Sequence, residues 1–152
     1  MLKITVGYNT AEEELSIARR IGSGLGETIQ AVIDTDTLSA LKEEVKQIHI
    51  DEEVERYMIL LVTATREPEK FGLSEVKRYI QFGASPRVSI DMFKAVRAVA
   101  FLRGKEFVTP SDIASIVKEL MRHRIVLTYE AEAEGIEIDD LIEQIIKAVP
   151  IP

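Results

Sequence analysis

The 152-residue chain contains no cysteine. That excludes a disulfide framework and any thiolate nucleophile or thiolate metal ligand. Its two histidines, His49 and His123, lie far apart without a helical pairing, so no zinc site is expected on them. No apolar run approaches the ~20 residues that span a bilayer. The opening Met1–Val6 stretch lacks the long apolar segment of a secretory signal. A phosphate loop is missing as well. Gly22-Ser23-Gly24-Leu25-Gly26 has the glycines but not the Gly-Lys-Ser/Thr ending, whose lysine reaches the outer phosphates and whose hydroxyl holds magnesium. Glu27 follows instead, and its charge repels phosphate. The segment is expected to be a flexible connector that ends a helix. A cytoplasmic location fits these absences, and no membrane contact is expected.

What remains is an ordinary globular composition, 46% hydrophobic and 30% charged, enough for one domain or two small ones. The net charge of −7 hides an asymmetry. Residues 77–124 hold ten Lys/Arg against four Asp/Glu, a net of +6, so everything else carries −13. A basic segment inside an acidic chain is compatible with a local anion or partner site, or with a set of solvated helix faces.

Read along the chain, Leu2–Val6 alternates apolar and polar residues as a short strand does. A lone strand of this length has no independent stability, so it is expected to belong to a sheet lying outside this sequence. Thr10 and Glu13 form a capping-box pattern for a helix through Ile21. Ile29–Ile33 reads as another strand, Thr37 as the cap of a short helix, and Asp51 as the cap of a helix to about Arg66. The pattern does not decide the state of Leu73–Phe82. The helix after Ser85 is apolar on nearly all sides and is expected to be central. Thr109-Pro110 repeats the cap-then-proline signature before a stripe of Ile113, Ile116, Val117, Leu120 and Met121. Glu130–Glu134 reads as a loop, and Leu141–Val149 as a last amphipathic helix ended by Pro150. Residues 35–149 read as one compact helical unit.

The most informative segment is Gly83-Ala84-Ser85-Pro86-Arg87. Ser85 is a good N-cap, its hydroxyl able to accept from a free backbone N–H. Pro86 suits the first helical position. Arg87 then sits in the first turn, the wrong end of the helix dipole for a cation. Asp91, four residues on, offers an ion pair worth about 0.3–0.5 kcal/mol. That is comparable with the unfavourable dipole interaction of roughly 0.3–1 kcal/mol. Local energetics therefore leaves Arg87 open between a weak pair and a bound anion. Arg122-His123-Arg124 closes an amphipathic helix, where cations complement the dipole, and is a candidate subunit interface. The carboxylate runs Glu12–Glu14 and Glu130–Glu134 have structural readings, the first as the acidic opening turn of a helix.

At Gly83–Arg87 the sequence resembles the MoxR family of AAA+ ATPases, and the resemblance runs across essentially the whole chain. It is carried also by Val6-Gly7-Tyr8, Val45–Ile50, Leu61–Arg66, Leu102-Arg103-Gly104 with Val108–Ile113, Leu120–Ile125 and the closing Val149–Pro152. One departure is Asn9, where the family commonly has proline. The resemblance implies a mainly α fold: a lid-type bundle of about five to seven helices over residues 34–152. Before it, residues 1–33 would be a strand-plus-helix remnant of the α/β nucleotide-binding core, and there is room for a small β-hairpin near 125–138. Arg87 falls where the family places its sensor-2 arginine, supported by Gly83, Ser85 and Pro86.

The same resemblance implies ATP and Mg2+ in the full-length protein, held by Walker motifs expected before residue 1. No nucleotide is expected to be held by this chain alone, and no residue in it can fill the P-loop role. Implied partners are the AAA+ core of the same protein, neighbouring subunits of a six-membered ring, and a von Willebrand A-type protein in chaperone-like remodelling. Two other function classes compete. A free-standing helical adaptor shares the expected fold; a reading frame continuing upstream into a Walker-type domain would separate the two. A winged-helix nucleic-acid module could be drawn from helix 111–124 and a β wing, but its tip would carry Glu130, Glu132 and Glu134, which phosphates repel. Residues 1–33 are expected to exchange their amides faster than 37–149.

Overall fold

A computed structural model describes residues 1–24 and 29–152. The expected connector reading of Leu25, Gly26 and Glu27 lies outside the described residues. Before them, helix α1 (Ala11–Gly22) opens with the anticipated capping box: the Thr10 hydroxyl accepts from the Glu13 amide, and the Glu13 carboxylate accepts from the Thr10 amide. None of its residues is buried. The alternating Leu2–Val6 segment is not a strand. Among the described residues, its one backbone-to-backbone bond to the rest of the fold runs from the Lys3 amide to the Glu119 carbonyl, at 2.9 Å. Alternation marks a strand only where a neighbouring ladder exists, and none is present among the described residues. The same correction applies to Ile29–Ile33.

Helix α2 (Thr35–Gln47) starts earlier than Thr37 suggests. Asp34 caps it, its Oδ1 accepting from the Thr37 amide at 2.7 Å. Helix α3 (Glu52–Ala64) follows Asp51 as anticipated, but that carboxylate makes no cap bond and faces the His49 ring at 3.1 Å. The chain then passes through a 3₁₀ turn (Pro68–Phe71) that leaves by the left-handed Gly72, φ 75°. The undecided stretch resolves into a short α4 (Ser74–Tyr79) and strand β1 (Ile80–Phe82).

Helix α5 (Pro86–Leu102) is central as anticipated, packing against both α2 and α3. It is not buried all round. Val88, Met92, Val96 and Ala100 form one buried stripe, whereas Ile90 and Leu102 face solvent. The continuous helix drawn from Ser111 to Arg124 is broken into α6 (Pro110–Ala114) and α7 (Val117–Met121). Ser115 explains the break. Its hydroxyl donates to the Asp112 carbonyl at 2.8 Å, taking the acceptor that the Ile116 amide would use, and that amide turns to Ile113 instead.

Strand β2 (Val126–Leu127) pairs antiparallel with β1, Ile80 opposite Leu127 and Phe82 opposite Val126. No hairpin forms within 125–138. The chain turns after β2 into α8 (Tyr129–Ala133), capped by Thr128, and ends in α9 (Ile138–Ala148). The Glu130–Glu134 run is therefore helical rather than looped, and its charge is used locally. Glu130 and Glu134 each lie 3.6 Å from Arg78, and Glu134 accepts from the Tyr79 hydroxyl at 2.7 Å. This removes the winged-helix drawing, since the supposed wing tip is a helix braced against α4.

The core lies between α3, α5, α6, α7 and α9. Met58, Leu61, Met92, Ile113, Leu120 and Ile145 are fully buried, each worth roughly 1.5–3 kcal/mol on leaving water. Among the described residues, nothing before Ile48 is buried. Helices α1 and α2 thus stand outside the core that the rest of the chain builds. Among the described residues, no helix is long and apolar enough to cross a membrane.

Candidate functional site

The site is built where the end of α3 meets the start of α5. Gly83 is packed so tightly on the α3 terminus that a Cβ there would lie 2.4 Å from the Thr65 carbonyl oxygen. Absence of a side chain, rather than a special φ, is what the position requires. Ala84 follows, fully buried and outside regular structure, so both its backbone groups need partners. The preceding helix supplies them. The Ala84 amide donates to Thr65 Oγ1 at 2.8 Å, and Arg66 Nε donates to the Ala84 carbonyl at 2.6 Å. Thr65, itself fully buried, is held by donating to the Val62 carbonyl at 2.7 Å. Lys77 reaches the Arg66 carbonyl at 3.3 Å, a cation at the negative end of α3.

This fastening delivers the chain to Ser85, the N-cap of α5, with Pro86 at the first helical position as anticipated. The capping bond itself is absent: the Ser85 hydroxyl accepts no helix amide, and the Val88 amide bonds the Ser85 carbonyl at 2.9 Å instead. Arg87 projects from the first turn into solvent. Among the described residues its side chain has no hydrogen-bond or ion-pair partner. The pair with Asp91 does not form. Asp91 is taken by Arg124 at 2.7 Å, and the Met1 amine also lies 3.3 Å from it. Of the two explanations open for Arg87, the internal ion pair is thus removed.

Of the other sequence candidates, Arg122 and Arg124 are engaged within the fold, whereas the buried His123 Nδ1 has no partner among the described residues. Arg122 makes a two-pronged pair with Asp139, both bonds 2.7 Å, and donates to the Lys3 carbonyl at 2.9 Å. That pair holds the Asp139 carboxyl below its ordinary range. Arg124 spans from Asp91 to His123, its Nε donating to His123 Nε2 at 3.1 Å. Burial pushes His123 below its usual 6.5, and the adjacent Arg124 adds to this. Arg97 donates to the Ile48 carbonyl at 3.1 Å. Much of the basic segment is thereby neutralised inside the fold, and Arg87 is left facing outward.

Sequence reasoning singled out Gly83–Arg87 and, separately, Leu61–Arg66. It missed that these two stretches, 19 residues apart at their hydrogen-bonded positions, meet and form one structure. The signal available was a glycine followed by a small apolar residue just before a capped helix start. That pattern marks a close approach without naming the neighbour.

A family model described as an AAA lid domain matches residues 73–145, which include Gly83–Arg87 and all of α5. The chain is 36% identical over its full length to Chaperone MoxR1 of Mycobacterium tuberculosis, covering 40% of that protein. Protein MoxR of Paracoccus denitrificans is 31% identical over 84% of the chain, with 40% of that relative covered. Among solved structures, a protein of Cytophaga hutchinsonii described as a candidate ATPase superposes with a TM-score of 0.93 at 36% identity, covering all of this chain and 46% of that one. The chain spans less than half the length of these relatives. Family match, relatives and fold agree: the chain fits a C-terminal, lid-bearing portion of a MoxR-family AAA+ ATPase.

Proposed function

We propose that residues 34–152 form the lid that closes over ATP bound to an AAA+ core, and that Arg87 is its sensor-2 arginine. One observation carries this reading. An exposed cation occupies the unfavourable end of a 17-residue helix without a partner among the described residues, while the carboxylate one turn on is bound to Arg124. Such a charge lowers its energy when an anion approaches. The phosphate oxygens of ATP gain negative charge during transfer, so a pre-positioned guanidinium stabilises that state more than the ground state. ATP and its magnesium are assigned to the core, whose Walker lysine and hydroxyl would hold them. Residues 1–33 are read as a remnant of that core, with α1 formed and Leu2–Val6 pairing as a strand only when the core is present, in line with the absence of buried side chains among the described residues of this range.

In the assembled protein the lid would pack on neighbouring subunits of a ring of six, with Arg122–Arg124 as a candidate contact. It would couple nucleotide state to chaperone-like remodelling of a partner, a von Willebrand A-type protein among the candidates. The experiment is ATP turnover by the full-length protein that carries this chain together with a Walker-type core. Arg87→Ala is expected to lower kcat on the order of 10²-fold, the cost of deleting one charge-stabilising donor. Its thermal unfolding should be unchanged, because the exposed Arg87 side chain has no hydrogen-bond or ion-pair partner among the described residues. The isolated 152-residue chain should not hydrolyse ATP. Hydrolysis by that chain, abolished by Arg87→Ala, would overturn the lid reading, as would wild-type turnover in the full-length variant.

A further inference from the structure

We infer that Thr65 and Arg66 are positioning residues for Arg87, acting through the backbone of Ala84. This rests on the reading of Arg87 as the nucleotide-facing cation and adds the device that aims it. A cation at a helix start is useful only if the helix start is immobile. The Ser85 side chain does not supply that immobility, since it accepts no amide of α5. The anchoring lies one residue earlier and comes from another helix. Both polar groups of the Ala84 backbone are held by consecutive residues of the α3 terminus, the amide by Thr65 Oγ1 at 2.8 Å and the carbonyl by Arg66 Nε at 2.6 Å.

Three features mark this as a rigid fastening. Thr65 and Ala84 are each fully buried, so water does not compete for their bond. The Thr65 hydroxyl is oriented, because its proton is committed to the Val62 carbonyl at 2.7 Å and only its lone pairs remain for Ala84. Gly83 lets the two backbones approach to a separation that excludes even a methyl group. Only two residues, the N-cap Ser85 and a proline of fixed φ, lie between Ala84 and Arg87, so little freedom remains between anchor and cation. A rotation of the loop at Ala84 is therefore transmitted to the guanidinium. Displacements of about 1 Å at a reacting group are costly in rate.

The experiment is a double-mutant cycle in the full-length protein, with kcat and KM for ATP measured separately. Thr65→Val keeps shape but removes the hydroxyl, Thr65→Ser keeps the hydroxyl, and Arg66→Ala removes the second fastening from an exposed side chain without emptying the core. Thr65→Val and Arg66→Ala are each expected to lower kcat on the order of 10-fold, with a smaller change in KM. Thr65→Ser should restore most of the loss. Combined with Arg87→Ala, neither should lower kcat further, because a misaligned cation that is already absent cannot be lost twice. Wild-type kcat in folded Thr65→Val and Arg66→Ala proteins would overturn the inference. So would losses that multiply with that of Arg87→Ala, the behaviour of a purely structural defect. Both results leave a low turnover in Arg87→Ala intact, whereas full turnover in Arg87→Ala removes the underlying reading as well. If Thr65→Val does not fold, the Arg66→Ala cycle decides alone.

Discussion

Replacing Gly83 with alanine is the sharpest structural perturbation available at this site. The added Cβ would sit 2.4 Å from the Thr65 carbonyl oxygen and 2.9 Å from the Arg66 Cα. The first distance is about 1 Å short of the ~3.5 Å at which non-bonded atoms rest. Both obstacles are backbone atoms at the end of α3, so no flexible side chain can swing away. Forced separation costs about 1–3 kcal/mol as overpacking. It also stretches the Ala84 bonds to Thr65 and Arg66, of which the buried one is worth about 1 kcal/mol. Against this, Gly83 has no left-handed φ, so alanine reduces the freedom of the unfolded chain and returns about 0.4–1 kcal/mol. The expected net loss is about 2 kcal/mol. For a domain of this size that is a fall in Tm of roughly 4–8 °C. The assay is urea and thermal unfolding of the 152-residue chain, with Gly22→Ala as the control. Gly22 ends α1 with nothing within 4 Å of a built Cβ, and its substitution should be neutral or slightly stabilising. Equal stability of the Gly83→Ala and wild-type chains, within 0.5 kcal/mol, would refute the close-approach account of the loop.

Two further outcomes concern other parts of the fold. Asp112 is fully buried, closes a capping box with Thr109 and receives Arg103 and Lys105, so Asp112→Ala should cost about 3 kcal/mol on denaturant unfolding. Burial pushes the Asp112 carboxyl up, but bonds from Thr109, Lys105 and Arg103 outweigh it and hold it far below the ordinary 3.8. With the folded value below the unfolded one, its contribution is complete above pH 3.8 and fades as the pH falls further. Asp112→Asn should therefore flatten the stability profile between about pH 2 and 4. Amide exchange should be faster in α1, which buries nothing, than in α3 and α5. Equal protection across these helices would contradict the burial pattern.

What could be read from the sequence divides along the range of the interactions. Thr10 with Glu13, Ser85 with Pro86, and Thr109 with Pro110 were legible because a helix start is set by three or four adjacent residues. The amphipathic pattern of α9 was legible because helical spacing is a local repeat. The break between α6 and α7 was not, since it depends on which carbonyl the Ser115 hydroxyl chooses. Periodicity at Ile113, Ile116, Val117 and Leu120 continues straight across it. The pairing of Val126 with Phe82 was equally hidden, because a two-residue strand carries no pattern of its own and its partner lies across the whole of α5. At the site, the cap, the proline and the cation were visible. The clamp on Ala84 was not, because nothing local distinguishes Thr65 from the other residues of Leu61–Arg66 and its partner lies 19 residues away.

The commitment of Asp91 to Arg124 has a consequence for how variation in this chain should be interpreted. One carboxylate stands within one helical turn of Arg87, and an arginine 33 residues further along the sequence keeps it engaged. Loss of Arg124 would free that carboxylate to fold back on the guanidinium it now ignores. A change at position 124 could then silence position 87 without altering it, and a second change at Asp91 could restore it. Substitutions at positions 87, 91 and 124 are therefore expected to have effects that depend on one another.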